Sequence, residues 1–405
     1  MKKKTSVNQI LEKQTLEKLP YPCSRRRFLR LGVGVAVAGP WALSHALEAE
    51  APSRPIPAEH LANAKAAIAE CRGYGPEVKE SMKKCFDLLG GIGSLVKGKT
   101  VTVKVNFTGS PYETLFGKPP GETYLTHGAT AIALAAILLE EGAKRVRFVE
   151  CAYYRKSMNE VMEMVGWDVK SLLALGNVEG ENTRNLGSGK SYAEIKVPEP
   201  ALLFDSFQLN QAYEDTDVLI SLAKLKNHGI AGITLSMKNM FGITPCSLYG
   251  DDAGSEDAIQ ARGSMHGGGR WGRAVALPGV KQKLGRDAGF VVPRVVVDLC
   301  AARPVHLAVI DGITSMSGGE GFWSRGIKPV APGVLIAGLN PVSTDAVGLA
   351  VMGYPDPRAE RGTTPFENGD NHLLLAERAG LGTADLSQID VRGLPIEKVR
   401  YPFQS

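Results

Sequence analysis

Between Asp217 and Gly242 the chain reads Asp217-Val-Leu-Ile-Ser-Leu-Ala-Lys-Leu-Lys-Asn-His-Gly-Ile-Ala-Gly-Ile-Thr-Leu-Ser-Met-Lys-Asn-Met-Phe-Gly242, a pattern that few architectures accommodate. Val218 to Leu222 is a short apolar run of the kind buried on both faces of a sheet. Lys224, Lys226 and His228 follow at alternate positions, so an extended chain would send all three side chains from one face. From Gly229 the period changes. Ile230, Ile233, Met237, Met240 and Phe241 fall on one side of a helix that Gly242 ends. The expectation is a strand that passes through three ionisable side chains into a helix start, where unpaired N–H groups and the helix dipole favour an anion. The plainer reading stays open beside it: lysines after a strand are commonly solvated, and a histidine there can simply cap a turn.

Strand and helix patterns alternate along the rest of the chain. Helices are expected over 61–70 and 77–89, and a strand over Thr100–Asn106. A Gly/Pro-rich loop follows to Tyr124, then a helix over His127–Glu141 and a strand over Arg145–Glu150. Strand, helix, strand is a βαβ unit and implies a parallel pair. Further helices are expected over 157–175, 291–302 and 371–380, and one from Asn340-Pro341 to Met352. Further strands are expected at 191–197, 306–311, 334–337 and 389–391. The fold class is therefore α/β, a mostly parallel or mixed sheet flanked by helices, with long glycine-rich loops at its carboxyl edge (243–273 and 318–326). A chain of 405 residues suits one large α/β domain or two ordinary ones.

Charge is unevenly placed. Residues 1–46 carry nine Lys/Arg against Glu12 and Glu17, a net +7, so the chain's formal +5 leaves about −2 for the remainder. That balance gives no support for nucleic-acid binding. The leader Ser24-Arg25-Arg26-Arg27-Phe28-Leu29-Arg30, a short run from Leu31 to Ala38, and Ser44-His45-Ala46 together resemble a twin-arginine (Tat) export signal cleaved after Ala46. The resemblance implies export in the folded state through the Tat machinery to the periplasm, and it raises the expectation of a bound cofactor without identifying one. Later stretches are too short and too charged for a membrane span, which needs ~20 apolar residues.

Beyond the leader five cysteines remain, Cys71, Cys85, Cys151, Cys246 and Cys300, without CxxC spacing. Neither an iron–sulfur nor a structural zinc motif is supported, and no metal site is expected. Cys71 and Cys85 are close enough in sequence to pair, but two helical cysteines fourteen residues apart are more often separate core residues. Gly267-Gly-Gly-Arg-Trp-Gly272 lacks the context of a P-loop or dinucleotide fingerprint. No serine sits in a nucleophile elbow.

Polar residues collect where strands are expected to end. Lys104 and Asn106 close one strand and Glu150 the next; Lys224, Lys226 and His228 follow a third; Asp311 closes a fourth. Ligands of open parallel sheets bind outside the carboxyl ends of the strands, so these corners are expected to share a cleft. His127, His266 and His372 could join it. His306, on an apolar strand, reads as a packed histidine, and Asp345 as a first-turn acid facing its own helix dipole.

Lys104-Val-Asn106, Ala223-Lys-Leu-Lys-Asn-His-Gly229, Met237-Lys-Asn-Met-Phe-Gly242, Val309-Ile-Asp-Gly-Ile313 and Asn340-Pro-Val-Ser-Thr-Asp-Ala-Val347, in this order, resemble the DUF362 family, a domain of unknown function. The resemblance spans roughly 99–393. It divides the chain into a signal peptide (1–46), a linker with N-terminal helices (47–98), the α/β domain (99–393) and a tail (394–405). It implies Asn106, Lys226, His228, Lys238, Asn239, Asp311 and Asp345 as the characteristic polar positions. Ala223 stands where the family has proline and Asn227 where it has threonine. Met316-Ser317-Gly318 lacks an expected acid, which Glu320 would have to replace.

The function expected is that of an exported enzyme or cofactor-binding protein holding an anionic small molecule. Lys226 and His228 would contact the anion, assisted by Lys104 or Lys224. Lys238, Asn239, Asp345 and His266 would line the site. Glu150 and Asp311 would serve as acid/base groups, with His228 moving a proton near neutral pH. The alternative is a non-catalytic binding or maturation protein for an exported redox partner.

Overall fold

A computed structural model of the protein describes residues 55–267 and 277–403. The twin-arginine leader and the Gly268-Gly269-Arg270 part of the glycine-rich loop lie outside the described residues. Eight strands form the main sheet: β1 (Lys65–Glu70), β2 (Thr100–Lys104), β3 (Arg145–Glu150), β4 (Val178–Asn182), β5 (Val218–Lys224), β6 (Leu307–Gly312), β7 (Val334–Gly338) and β8 (Asp390–Gly393). Their order is β8-β1-β7-β6-β5-β2-β3-β4. Only β7 runs against its neighbours, β1 and β6; every other adjacent pair is parallel. The carboxyl ends of β1 to β6 therefore share one edge, as the α/β reading requires.

Seven helices matter for the site: α1 (Glu77–Leu88), α2 (Gly128–Glu140), α3 (Met158–Met164), α4 (Leu235–Asn239), α5 (Ala288–Ala302), α6 (Pro341–Val351) and α7 (His372–Arg378). Side chains alternate across the strands, so each strand feeds two cores. Val101, Val103, Val218, Ile220, Leu222 and Val309 meet α1, α2 and α3. Leu219, Ile310 and Ile336 meet α4 to α7 on the other side. The result is three layers, helix on sheet on helix.

Three local expectations differ from the structure. Residues 65–70 form a strand, not the end of a helix. Helix propensity is worth less than about 1 kcal/mol per residue, and pairing on both sides, with β7 and β8, outweighs it. The alanines let α1 and α6 press close on β1. Nor does a helix start at Gly229. Residues 227–228 pair with 232–233, and α4 begins only at Leu235. Gly232 turns that corner with φ +75, and a Cβ there would lie 2.6 Å from the Phe366 ring. Residues 157–175 form two short helices, 158–164 and 169–173, rather than one. The expected tail docks: Tyr401 N donates to Val351 O and Phe403 N to Met352 O, at the end of α6.

Candidate functional site

The carboxyl edge gathers the expected polar residues into three groups rather than one cleft. The first lies where β2 and β3 end. Lys104 Nζ sits 2.8 Å from Glu150 Oε1 with both side chains buried, and donates to Val105 O and Asn239 Oδ1. Asn106 Nδ2 also donates to Asn239 Oδ1, at 3.2 Å. Glu150 is fully engaged, because Phe107 N and Cys151 N donate to its two oxygens. Burial lowers the Lys104 pKa, and Glu150 opposes the shift. Gly242 is required here: a Cβ would lie 2.7 Å from both the Lys104 ammonium and the Glu150 carboxylate.

The second group lies across the sheet, facing α2. Lys224 Nζ donates to Tyr74 Oη (2.7 Å), Gly121 O (2.7 Å) and Asp311 Oδ2 (3.2 Å). Asp311 also accepts from Tyr74 Oη, Thr130 Oγ1 and Ile313 N. Lys224 and Asp311 are wholly buried. Tyr74 stacks on His127 with ring centroids 3.6 Å apart. The His127 Nδ1 accepts from Ala129 N and so caps α2; burial and Lys224 lower its pKa to about 4. Both oxygens of Asp311 and both of Glu150 accept hydrogen bonds from within the fold.

The third group differs. Lys226 Nζ, buried, donates to Tyr124 O (2.7 Å) and Glu320 O (2.9 Å). Lys238 is 9% exposed and lies over the Phe241 ring, 4.4 Å from Nζ to centroid. Among the described residues it makes neither a hydrogen bond nor an ion pair. Burial lowers both lysines to about 7. His228 Nδ1 accepts from Ile230 N and Ala231 N, which puts its proton on Nε2. His266 Nδ1 donates to Arg262 O, which leaves its Nε2 as an acceptor. Burial, then Lys238, takes His228 to about 3 and His266 to about 4. His228 is thus a neutral hydrogen-bond donor rather than the neutral-pH proton carrier expected.

Glu320 supplies the acid that Ser317 does not. Its Oε2 accepts from Gly229 N (2.8 Å) and its Oε1 from Trp323 Nε1 (2.9 Å). Burial raises its pKa, but His228, these two donors and Lys226 outweigh that and hold it at about 2. Arg262, also buried, donates to Thr244 O and to Tyr153 Oη. With Glu150 paired to Lys104, Glu320 is the strongest negative charge acting on Lys226 and Lys238, while Arg262 leans on Cys151 Sγ and Tyr153 Oη.

Asp345 lies elsewhere. It is fully buried and does not serve its own helix dipole; its two oxygens accept from Ser236 N (2.8 Å) and Met237 N (2.7 Å) at the start of α4. The acceptor at that helix start is the protein's own side chain, whose pKa burial pushes up to about 8 against the two amides, so the N–H groups expected to take an anion are already used. Leu235 beside it has φ +38, a strained conformation for a branched residue. Asp345→Ala would orphan two buried amides, so a loss of about 2–5 kcal/mol is expected in urea unfolding. His372 is buried against Phe366. His306 Nδ1 accepts from Leu219 N, as a packed histidine should.

Sequence reasoning missed Tyr74, Arg262 and the pair Cys151 and Cys246. Tyr74 follows β1, a strand whose alanine-rich sequence carries a helical pattern. Arg262 lies in an irregular loop with no periodic signal.

Fold and site define an α/β protein with a buried, cation-rich polar centre at the carboxyl edge of its sheet. The profile of the domain of unknown function DUF362 matches residues 101–350, and the chain belongs to this family. A thylakoid-associated protein of Synechocystis is 28% identical over 167 residues, 41% of this chain and 46% of that relative. Two solved structures align more loosely. A Thermotoga maritima protein is 14% identical, with TM-score 0.31, covering 63% of this chain and 54% of its own. The lactate racemase apoprotein of Thermoanaerobacterium thermosaccharolyticum is 12% identical, with TM-score 0.34, covering 69% and 56%. The chain thus spans about half the length of each of these proteins. No described helix is long and apolar enough to cross a membrane.

Proposed function

We propose that the protein is exported by the Tat route and binds an anionic small molecule or cofactor at the third group of the carboxyl edge. The observation that carries this reading is Lys238, a lysine 9% exposed whose ammonium has no hydrogen-bonding partner among the described residues and only Glu320 as its main opposing charge. An unpaired buried charge is costly unless something compensates it. An anion would do so. Lys238 and the His228 Nε2–H would donate to it, Lys226 and Arg262 would add field, and the His266 Nε2 would accept a proton from any hydroxyl or protonated oxygen it carries. Glu320 sets a limit by repelling a second negative group. Lys104–Glu150 and Lys224–Asp311 serve as struts that hold the strand ends. Binding is the reading that the geometry favours; an acid–base step would fall to His266 and Lys238, whose pKa values lie at or below neutrality.

The test is native mass spectrometry of protein recovered from the periplasm. A stoichiometric small anion is expected on the exported wild type and absent from Lys238→Met. Arg25→Lys/Arg26→Lys is expected to retain the protein in the cytoplasm. A bare mass in all samples would sink the binding reading, and a stoichiometric protein partner without a small molecule would favour the maturation role. Periplasmic recovery of the double-lysine variant would sink the export reading.

A further inference from the structure

Cys151 follows Glu150 at the end of β3, and Cys246 opens the short helix 246–249. Their Sγ atoms lie 3.3 Å apart, both buried, in a small cluster with Ala258 and Tyr153. Arg262 Nη1 donates to Cys151 Sγ at 3.0 Å. The other cysteines are placed differently. Cys85 points at Ala67 O and Leu335 O, Cys300 at Met237 O and Cys71 at Gly73 O, each without a second sulfur. Burial raises all three of those thiols. At Cys151 burial acts the same way, but the Cys246 hydrogen bond and Arg262 outweigh it and lower the pKa, while Cys246 goes up.

We propose that Cys151 and Cys246 are a redox-active dithiol that closes to a disulfide by exchange with a low-molecular-weight disulfide. Cys151 is the attacking sulfur, since a cation beside a thiol favours the nucleophilic thiolate. Its thiolate displaces one thiolate from the small disulfide, forming a mixed disulfide. Cys246 then attacks Cys151 Sγ, its proton passing to a departing thiolate, and the second thiol leaves. The protein dithiol loses two electrons and two protons, and the small disulfide becomes two thiols. Both sulfurs are covered, so reaction proceeds through local opening of the loop that carries Arg262 and Ala258. Closure removes the thiolate that neutralises Arg262 and ties the end of β3 to the wall of the polar centre.

The test is incubation of the purified full chain with oxidised glutathione, followed by acid quench, unfolding, iodoacetamide and peptide mapping. The expected product has Cys151 linked to Cys246, with Cys71, Cys85 and Cys300 alkylated. Cys246→Ser is expected to stop at a glutathione adduct on Cys151. Arg262→Met is expected to slow closure at neutral pH by about tenfold and move its pH profile upward. The proposal is overturned if all five thiols alkylate, if other pairs bridge, or if wild-type Cys151 carries glutathione without closing. The wild-type map decides by itself should a variant fail to fold.

Discussion

Asp311→Leu is expected to lower the unfolding free energy by about 3–5 kcal/mol, read by urea denaturation at neutral pH. The loss follows from what the aspartate leaves behind. The Lys224 ammonium keeps Gly121 O and Tyr74 Oη as neighbours but loses its counter-charge in a wholly buried position. Tyr74 and Thr130 each lose an acceptor. Burial already lowers the Lys224 pKa, and the Asp311 carboxylate opposes that shift most strongly. Without Asp311 the lysine would fold neutral, so the variant should lose further stability as pH falls toward neutrality. The double variant Lys224→Met/Asp311→Leu should recover most of the loss, because a buried ion pair replaced by apolar side chains of similar volume is often neutral. A single-variant loss below about 1 kcal/mol would mean that the two charges are not coupled in the folded protein.

The strand ends were legible because the carboxyl-edge rule needs only the order of strands and helices. Lys104, Glu150, Lys224 and Asp311 were found that way. Which face each leaves was not legible. Period-two alternation fixes relative faces within a strand, not across strands. Val103 and Val105 pack toward α1 and α2, so Lys104 between them turns toward α4; Lys224 shares the parity of Leu222 and stays with α2. Residues expected to meet in one cleft therefore lie on two sides of the sheet. Asp345 failed differently. A carboxylate in a helix reads locally as an acid for its own dipole, and only tertiary packing reveals that α4 begins against it. Glu320 was visible as a substitute for the missing acid, but its contact with Gly229 depends on a long loop without periodicity.

Lys238→Met is expected to do two opposite things. It should weaken binding of the anion recovered from exported protein by about 10–100-fold, the worth of one or two charge-assisted contacts. It should also stabilise the ligand-free protein by about 1–4 kcal/mol at neutral pH, because an unpaired buried charge disappears into a methionine of similar length. The pH dependence separates this from a general packing effect. Burial depresses the folded pKa of Lys238 from 10.5 to about 7. Its stabilising contribution is then full above the unfolded value and is lost as pH falls through about 7, where the folded protein must take up the proton. Lys226 behaves alike, so the wild type should lose stability over that window and Lys238→Met should lose less. A bound anion reverses the sign by favouring the ammonium, so binding near pH 7–8 should take up protons, measurable by calorimetry in buffers of different ionisation enthalpy. A variant that binds as tightly as the wild type, or that loses stability on replacement, would show that Lys238 is already satisfied within the fold, and the cation-rich centre would then have no vacancy for a ligand.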